Sequence, residues 1–333
     1  MPASPSGPTV RLRTSEGIRP VPLPRPDAAE RPRVRNAPRL LALLTGSLED
    51  RWRKLRRQLR RGVPVGKRKE VDDSVHDLRT AARQLLAVLA ALRPFQDGKA
   101  ARRLGRRVEK LLDRSGSLRD VGVQLDMLPT VTTDSSAPAL RRLEKRLGQE
   151  HQRRVRKLRR RLRREDVRRL RGDVRRVVKR SCRARASMTS SAIQQAALQP
   201  GRESFARLRE SRLAVNPVDR ETIHRMRIDL KEFRYLMEAL RVAAKGISAR
   251  DLESLHALQT TMGDLHDLEV LSSTIARYVA KAAPESAAPL APVLEQVEVR
   301  HSAMLTSFLE AVDPILDSWE RLLAARRRVA EQA

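Results

Sequence analysis

Two stripes run side by side along Thr222–Leu240, TIHRMRIDLKEFRYLMEAL, and only a long α-helix satisfies both. Ile223, Met226, Leu230, Phe233, Met237 and Leu240 recur at steps of three and four, which is one apolar helix face. His224, Arg227, Lys231 and Arg234 follow similar steps, displaced by one residue. One residue turns a helix by about 100°. The cationic ladder therefore stands beside the buried seam, at the rim of whatever the helix packs against, and would line a groove.

The same construction occurs earlier. Val75, Leu78, Ala82, Leu85, Leu89 and Leu92 make the apolar stripe, with His76, Arg79 and Arg83 beside it. His224 lies 148 residues after His76. A second matching pair, Gly116-Ser117-Leu118-Arg119-Asp120-Val121 and Gly263-Asp264-Leu265-His266-Asp267-Leu268, is spaced by 147. Two motifs repeated in order at nearly one spacing indicate an internal duplication.

Aromatic residues make up only 2% of the 333 residues, so the core must be built of Leu, Val and Ala. That composition favours helices over sheets, and no segment carries a strong strand pattern, so the expected class is all-α. The net charge of +30 asks for a polyanionic partner: nucleic acid, an anionic membrane or inorganic polyphosphate. The charge is clustered. Arg141–Arg185 holds 22 Lys and Arg against 5 Asp and Glu, more than half of the chain's excess. A solvated face whose long stems cover apolar surface is the plain reading of such helices, and an electrostatic lining is the functional one. One cysteine, Cys182, allows no disulfide framework. No apolar run approaches the ~20 residues of a membrane span, and no secretory leader is visible, so a cytoplasmic protein that does not enter a membrane is expected.

Residues 1–36 read as a disordered, basic, Pro-rich tail. Helices begin near Ala37. The first helical half runs over 37–128, a Thr/Ser-rich link over 129–137, and the second half over 138–329. Ser74 is expected to cap the first ladder helix, with Asp77 as its reciprocal partner. Gly116 and Gly263 are expected to separate short helices, as is the Arg164–Asp166 step. Residues 186–201 read as a non-helical stretch, and two helices, 290–312 and 314–329, are expected to end the chain, with Arg326–Arg328 exposed.

A ladder of one His and several cations could bind phosphate, hold a metal or carry a phosphohistidine. Metal is the weakest of these, because neighbouring Arg and Lys repel the ion. Phosphohistidine requires a donor kinase. Phosphate binding requires nothing more, since guanidinium forks take phosphate oxygens bidentately and His adds hydrogen bonds. Tyr235, next to Arg234, could offer its hydroxyl or sit in the core. His266 occupies the place of Arg119 in the other half, which suggests a shared polar role. Neither GxxxxGK[ST] nor GxGxxG occurs, and no nucleophile–base constellation is evident, so neither an enzyme nor a cofactor is expected. Nucleic acid is less favoured, because base-reading and single-strand modules need aromatic platforms.

The ladders VHDLRTAARQL and IHRMRIDLKEFRYLMEAL, with GSLRDVGVQL and MGDLHDLEVL, resemble the CHAD family, the conserved histidine α-helical domain. The second ladder keeps an H-x-x-R-x-x-x-K-x-x-R-Y spacing through His224, Arg227, Lys231, Arg234 and Tyr235. The first departs from it, with Leu86 in the place of the last cation. The resemblance implies two four-helix bundles related by a pseudo-two-fold axis, with a basic cavity at their junction. It also implies binding of inorganic polyphosphate, in some members at polyphosphate granules. On that reading His76, Arg79, Arg83 and Arg119 form one half of the site and His224, Arg227, Lys231, Arg234 and Tyr235 the other.

Overall fold

The computed structural model describes residues 8–24, 37–96, 98–165, 167–184, 188–241 and 247–331. The seams read from the sequence set its long helices: α1 (Ala37–Arg61), α2 (Arg68–Ala91), α3 (Lys99–Met127), α4 (Ala137–Arg163), α5 (Val167–Ala184), α6 (Ser190–Leu213), α7 (Arg220–Arg241) and α8 (Ala249–Val279). A short turn, α9 (Pro284–Ala287), precedes α10 (Ala291–Glu331). No described helix is long and apolar enough to cross a membrane.

Every member of both seams is buried, from Val75, Leu85 and Leu92 at 0% exposure to Leu230, Phe233 and Met237 at 0%. Complete burial of one such side chain stabilises the fold by about 1.5–3 kcal/mol. The two ladder helices pack directly on each other, α2 against α7, while α3 packs on α8. These two contacts bring the ladders and the segments around Arg119 and His266 into one region. The Arg-rich α4 and α5 pack chiefly on α3 and, for α5, on α1.

Several expectations are corrected. Ser74 is no cap: α2 starts six residues earlier, and the buried Ser74 hydroxyl donates to the Gly62 carbonyl at 3.2 Å. The reciprocal cap occurs instead at α8, where Ser248 Oγ accepts from Asp251 N at 3.1 Å and Asp251 Oδ2 accepts from Ser248 N at 2.7 Å. Gly116 and Gly263 break nothing, for α3 and α8 run through them as single helices of 29 and 31 residues. A helical glycine costs only about 1 kcal/mol against alanine, and the buried seam through Leu111, Leu118 and Val121 outweighs that. Likewise α10 continues through Pro314, and α6 starts at Ser190 and continues through Pro200. Gly201 beside that proline lets α6 approach α7 closely: a Cβ there would stand 2.8 Å from Met237 Cε. The break at Arg164–Asp166 falls where expected, between α4 and α5. The side chains of Arg326–Arg328 lie outside the described residues, as do 1–7 and 25–36 of the tail.

The remainder of that tail is ordered, against the reading of 1–36 as disordered, and the all-α class gains one small sheet. Strands β1 (Thr9–Thr14) and β2 (Gly17–Pro22) form an antiparallel hairpin, turning at Gly17 with φ 127°. Leu12 and Val21 point inward at 0% and 1% exposure. The hairpin packs on α8 and α10, with Arg13 N donating to Ser307 Oγ at 2.9 Å and Ser15 N to Asp264 Oδ2 at 3.1 Å.

Candidate functional site

Four helices contribute to one cationic cluster: Arg79 and Arg83 from α2, Arg119 and Asp120 from α3, His224, Arg227 and Lys231 from α7, and His266 and Asp267 from α8. Arg79 is held from below. Its Nη1 donates to the Leu112 carbonyl at 2.6 Å and to Ser115 Oγ at 3.0 Å. Gly116 lies beside this guanidinium, where a Cβ would stand 3.7 Å from Nη1. Arg119 reaches across to α8 and meets Asp267 Oδ2 at 3.7 Å. His224 and His266 face each other with ring centroids 5.6 Å apart.

Five Arg and Lys side chains thus meet two aspartates, and three of the five are held away from water. Burial lowers Arg79 to about 10, with repulsion from Arg83, Arg119 and Arg227 added and Asp120 opposing. Burial lowers Lys231 to about 6, helped by Arg227, Arg83 and Arg79 and opposed by Asp267. Arg227 is lowered for the same first reason, and its Nε is buried with no hydrogen-bond partner. Desolvation also lowers His224, with Arg227 and His266 adding to it. Asp267 moves up, since burial outweighs the pull of Arg119, His266 and Arg227. Cations desolvated together with few counter-charges are stable only weakly until an anion enters. Once there, an oxyanion would receive charge-assisted hydrogen bonds in a poorly screened setting.

A carboxylate network borders the cluster. Burial alone would raise the Glu269 carboxyl, but His266 Nδ1 at 3.7 Å and His301 Nε2 at 3.4 Å hold it down to about 2. Among the described residues no three His, Cys, Asp or Glu side chains are grouped so as to hold a metal ion.

The structure separates three residues from the cluster. His76 is exposed on α2, with its Nε2 3.5 Å from Thr80 Oγ1. Arg234 is turned elsewhere: its Nε donates to Gln259 Oε1, Glu238 lies at 3.6 Å, and its guanidinium carbon sits 4.1 Å over the Tyr235 ring. Ten residues beyond His224, it stands about 15 Å along the helix and roughly 80° round it. It lines a different cavity, of about 790 Å³, with Pro20 and Pro22 of the hairpin and Arg241, Arg250 and His256. Tyr235 belongs to the core at 8% exposure, as one of the two readings had it, with an edge towards a groove between α2, α3 and α7. Asp120 and Asp267, which the sequence reading did not single out as site residues, lie inside continuous helices; their place one residue after Arg119 and His266 in the repeated segments was the available signal.

With this geometry in place, comparison with known proteins is informative. The family model for the CHAD domain matches residues 46–276. The crystal structure of the CHAD domain from the plant Ricinus communis is similar at TM-score 0.57 and 17% identity, over 86% of this chain and 91% of that one. PptA from Streptomyces chartreusis is similar at TM-score 0.62 and 16% identity, over 81% of this chain and 98% of that one. No curated protein matches the sequence.

Proposed function

The chain belongs to the CHAD domain family, and from that premise we propose that it binds inorganic polyphosphate, without catalysis, at the cluster where α2 meets α7. The observation that carries this reading is the convergence of Arg79, Arg83, Arg119, Arg227 and Lys231 from three helices, with Arg79, Arg227 and Lys231 desolvated and the five outnumbering their carboxylates. A linear polyanion supplies repeated oxyanions, and the forked guanidiniums take them two oxygens at a time. Repeat-related origins of the two ladders would let successive phosphates meet similar groups from either side. His224, lowered by burial and then by Arg227 and His266, becomes a better donor once phosphate enters. Association with polyphosphate granules in the cytoplasm follows as part of the same proposal.

The aromatic inventory supports a base-free ligand. Phe95, Phe205, Phe233, Phe308, Trp52, Trp319 and Tyr235 are buried in the core, and the eighth aromatic, Tyr278, is half-buried against it. No platform of the kind that stacks nucleobases is formed by them. A general polyanion reading draws on one observation only, the exposed arginines of α4 and α5, among them Arg156, Arg160 and Arg163.

The test is a titration of long-chain polyphosphate against duplex and single-stranded nucleic acid at ~150 mM salt, where surface charge is screened beyond ~8 Å. Polyphosphate should bind at least tenfold tighter. An Arg79→Ala/Arg227→Ala double variant should lose at least ~100-fold, two charge-assisted contacts at about 1.5–3 kcal/mol each. Equal binding of nucleic acid, or an unaffected double variant, would sink the reading.

A further inference from the structure

A cleft of about 510 Å³ opens between α2, α3 and α7, with Arg83 and Lys231 of the cationic cluster among its lining. Its remaining walls are unlike a polyphosphate site. Leu86, Leu89 and Ala90 come from α2, Leu112 from α3, and Ile228 and Leu236 from α7. Ile228 is 46% exposed, one of the few large apolar side chains of the chain left so. Polyphosphate has no apolar part, so it leaves these walls in water. The charges farther out are partly satisfied within the protein: Arg93 pairs with Glu203, and Glu232 with Arg207 at 2.6 Å. Arg83 and Lys231 have no carboxylate within ion-pair distance among the described residues, and two further charges that line the cleft, the exposed Arg102 and Glu109, are of opposite sign.

We infer that this cleft is a binding site for a single-chain amphiphilic anion, with its phosphate or carboxylate head on Arg83 and Lys231 and its alkyl chain along Leu86, Leu89, Ala90, Leu112, Ile228 and Leu236. The volume lies within the ~300–1,000 Å³ usual for small-molecule sites, and an apolar trough with a few convergent polar groups is their usual make-up. Charge complementarity selects the sign of the head, and the trough selects a chain. The low acidity threshold of Lys231 points the same way, since an anionic head would restore its proton. This inference rests on the cationic cluster but does not require polyphosphate to be its ligand. Where both bind, they share Arg83 and Lys231 and should compete.

Calorimetric titration of the full chain with dodecyl phosphate, kept below its micellar concentration, tests the site. Dodecyl phosphate should bind at least tenfold tighter than octyl phosphate, since each buried methylene is worth roughly fourfold in affinity. Inorganic phosphate and dodecyltrimethylammonium, which carry only the head charge or only the chain, should bind at least 100-fold more weakly. Ala90→Phe, at a half-buried wall position, should fill the trough and weaken dodecyl phosphate at least tenfold while leaving polyphosphate titration unchanged. Ile228→Glu, at an exposed position that folding tolerates, should abolish it by placing a carboxylate on the path. Equal binding of the cationic amphiphile, no dependence on chain length, or unchanged binding by both variants would overturn the inference. Loss of polyphosphate binding in the wild-type chain would instead strike the proposed function and leave this result standing.

Discussion

The α4–α5 pair and the α2–α7 junction are both rich in arginine, and they handle it in opposite ways. In the first region the only fully buried charge is a carboxylate. Asp173, at 0% exposure, receives Arg107 at 3.0 Å, Arg176 at 2.7 Å and Arg103 at 3.4 Å. The other arginines there mostly stand in water. In the second region three cations, Arg79, Arg227 and Lys231, are themselves desolvated and the carboxylates are too few. Total charge therefore does not locate a site. The +17 carried by Arg141–Arg185 is largely solvated, whereas a handful of cations at the junction is held where an anion is worth most.

The comparison can be broken at several points, taken here from the largest expected effect. Asp173→Ala removes the buried partner of three arginines that are themselves partly exposed and can turn to water, so the loss should be about 1–3 kcal/mol, that of hydrogen bonds to a charged group. Thermal or denaturant unfolding should show that loss; a change below ~1 kcal/mol would mean that Asp173 is no anchor. Lys231→Met should act in the other direction and stabilise the free protein at neutral pH. The Lys231 amine titrates at about 6 when folded, against an ordinary value of 10.5. Between those values the unfolded chain holds a proton that the folded chain lacks, so stability rises with pH across the window. Methionine removes that rise. The same proton returns when an anion binds, so polyphosphate affinity should strengthen as pH falls from 8 towards 6. Titration at pH 7.5 in buffers of different ionisation enthalpy should show proton uptake in the wild type and less in Lys231→Met. The smallest effect belongs to the solvated region. Neutralising Arg156, Arg160 and Arg163 together on α4 should weaken polyphosphate less than about threefold at ~150 mM salt. A tenfold loss would make the outer helices part of the site.

That the ladders meet was implied by the resemblance to the CHAD family; both seams were legible, because helix periodicity fixes which side chains share a face and the apolar face must find a partner. What lay beyond local periodicity was not. Arg234 continues the ladder in sequence but is captured by Gln259 and Glu238, contacts made by tertiary packing and by its own next turn. His76 shares the face of Arg79 yet remains exposed. The glycines at 116 and 263 read as breaks because local propensity is weak where a seam continues on both sides. The hairpin was hidden by its own composition. Its alternation of Leu12 and Thr14 with Arg11 and Arg13 is a period of two, but Pro20 and Pro22 speak against a strand except at an edge. Only α8 and α10 supply the surface that makes it one.

That last dependence sets an order of events during synthesis. The two strands leave the ribosome long before their docking partners: Arg13 waits for Ser307, and Ser15 for Asp264, 294 and 249 residues later. A lone two-stranded hairpin is marginal in water, so these residues travel unpaired while the helices behind them assemble. Nascent chains arrested before α10 should leave 8–24 open to protease, and full-length chains should protect it. The segment made early is thus among the last to settle, and its protection reports that the far end of the chain has arrived.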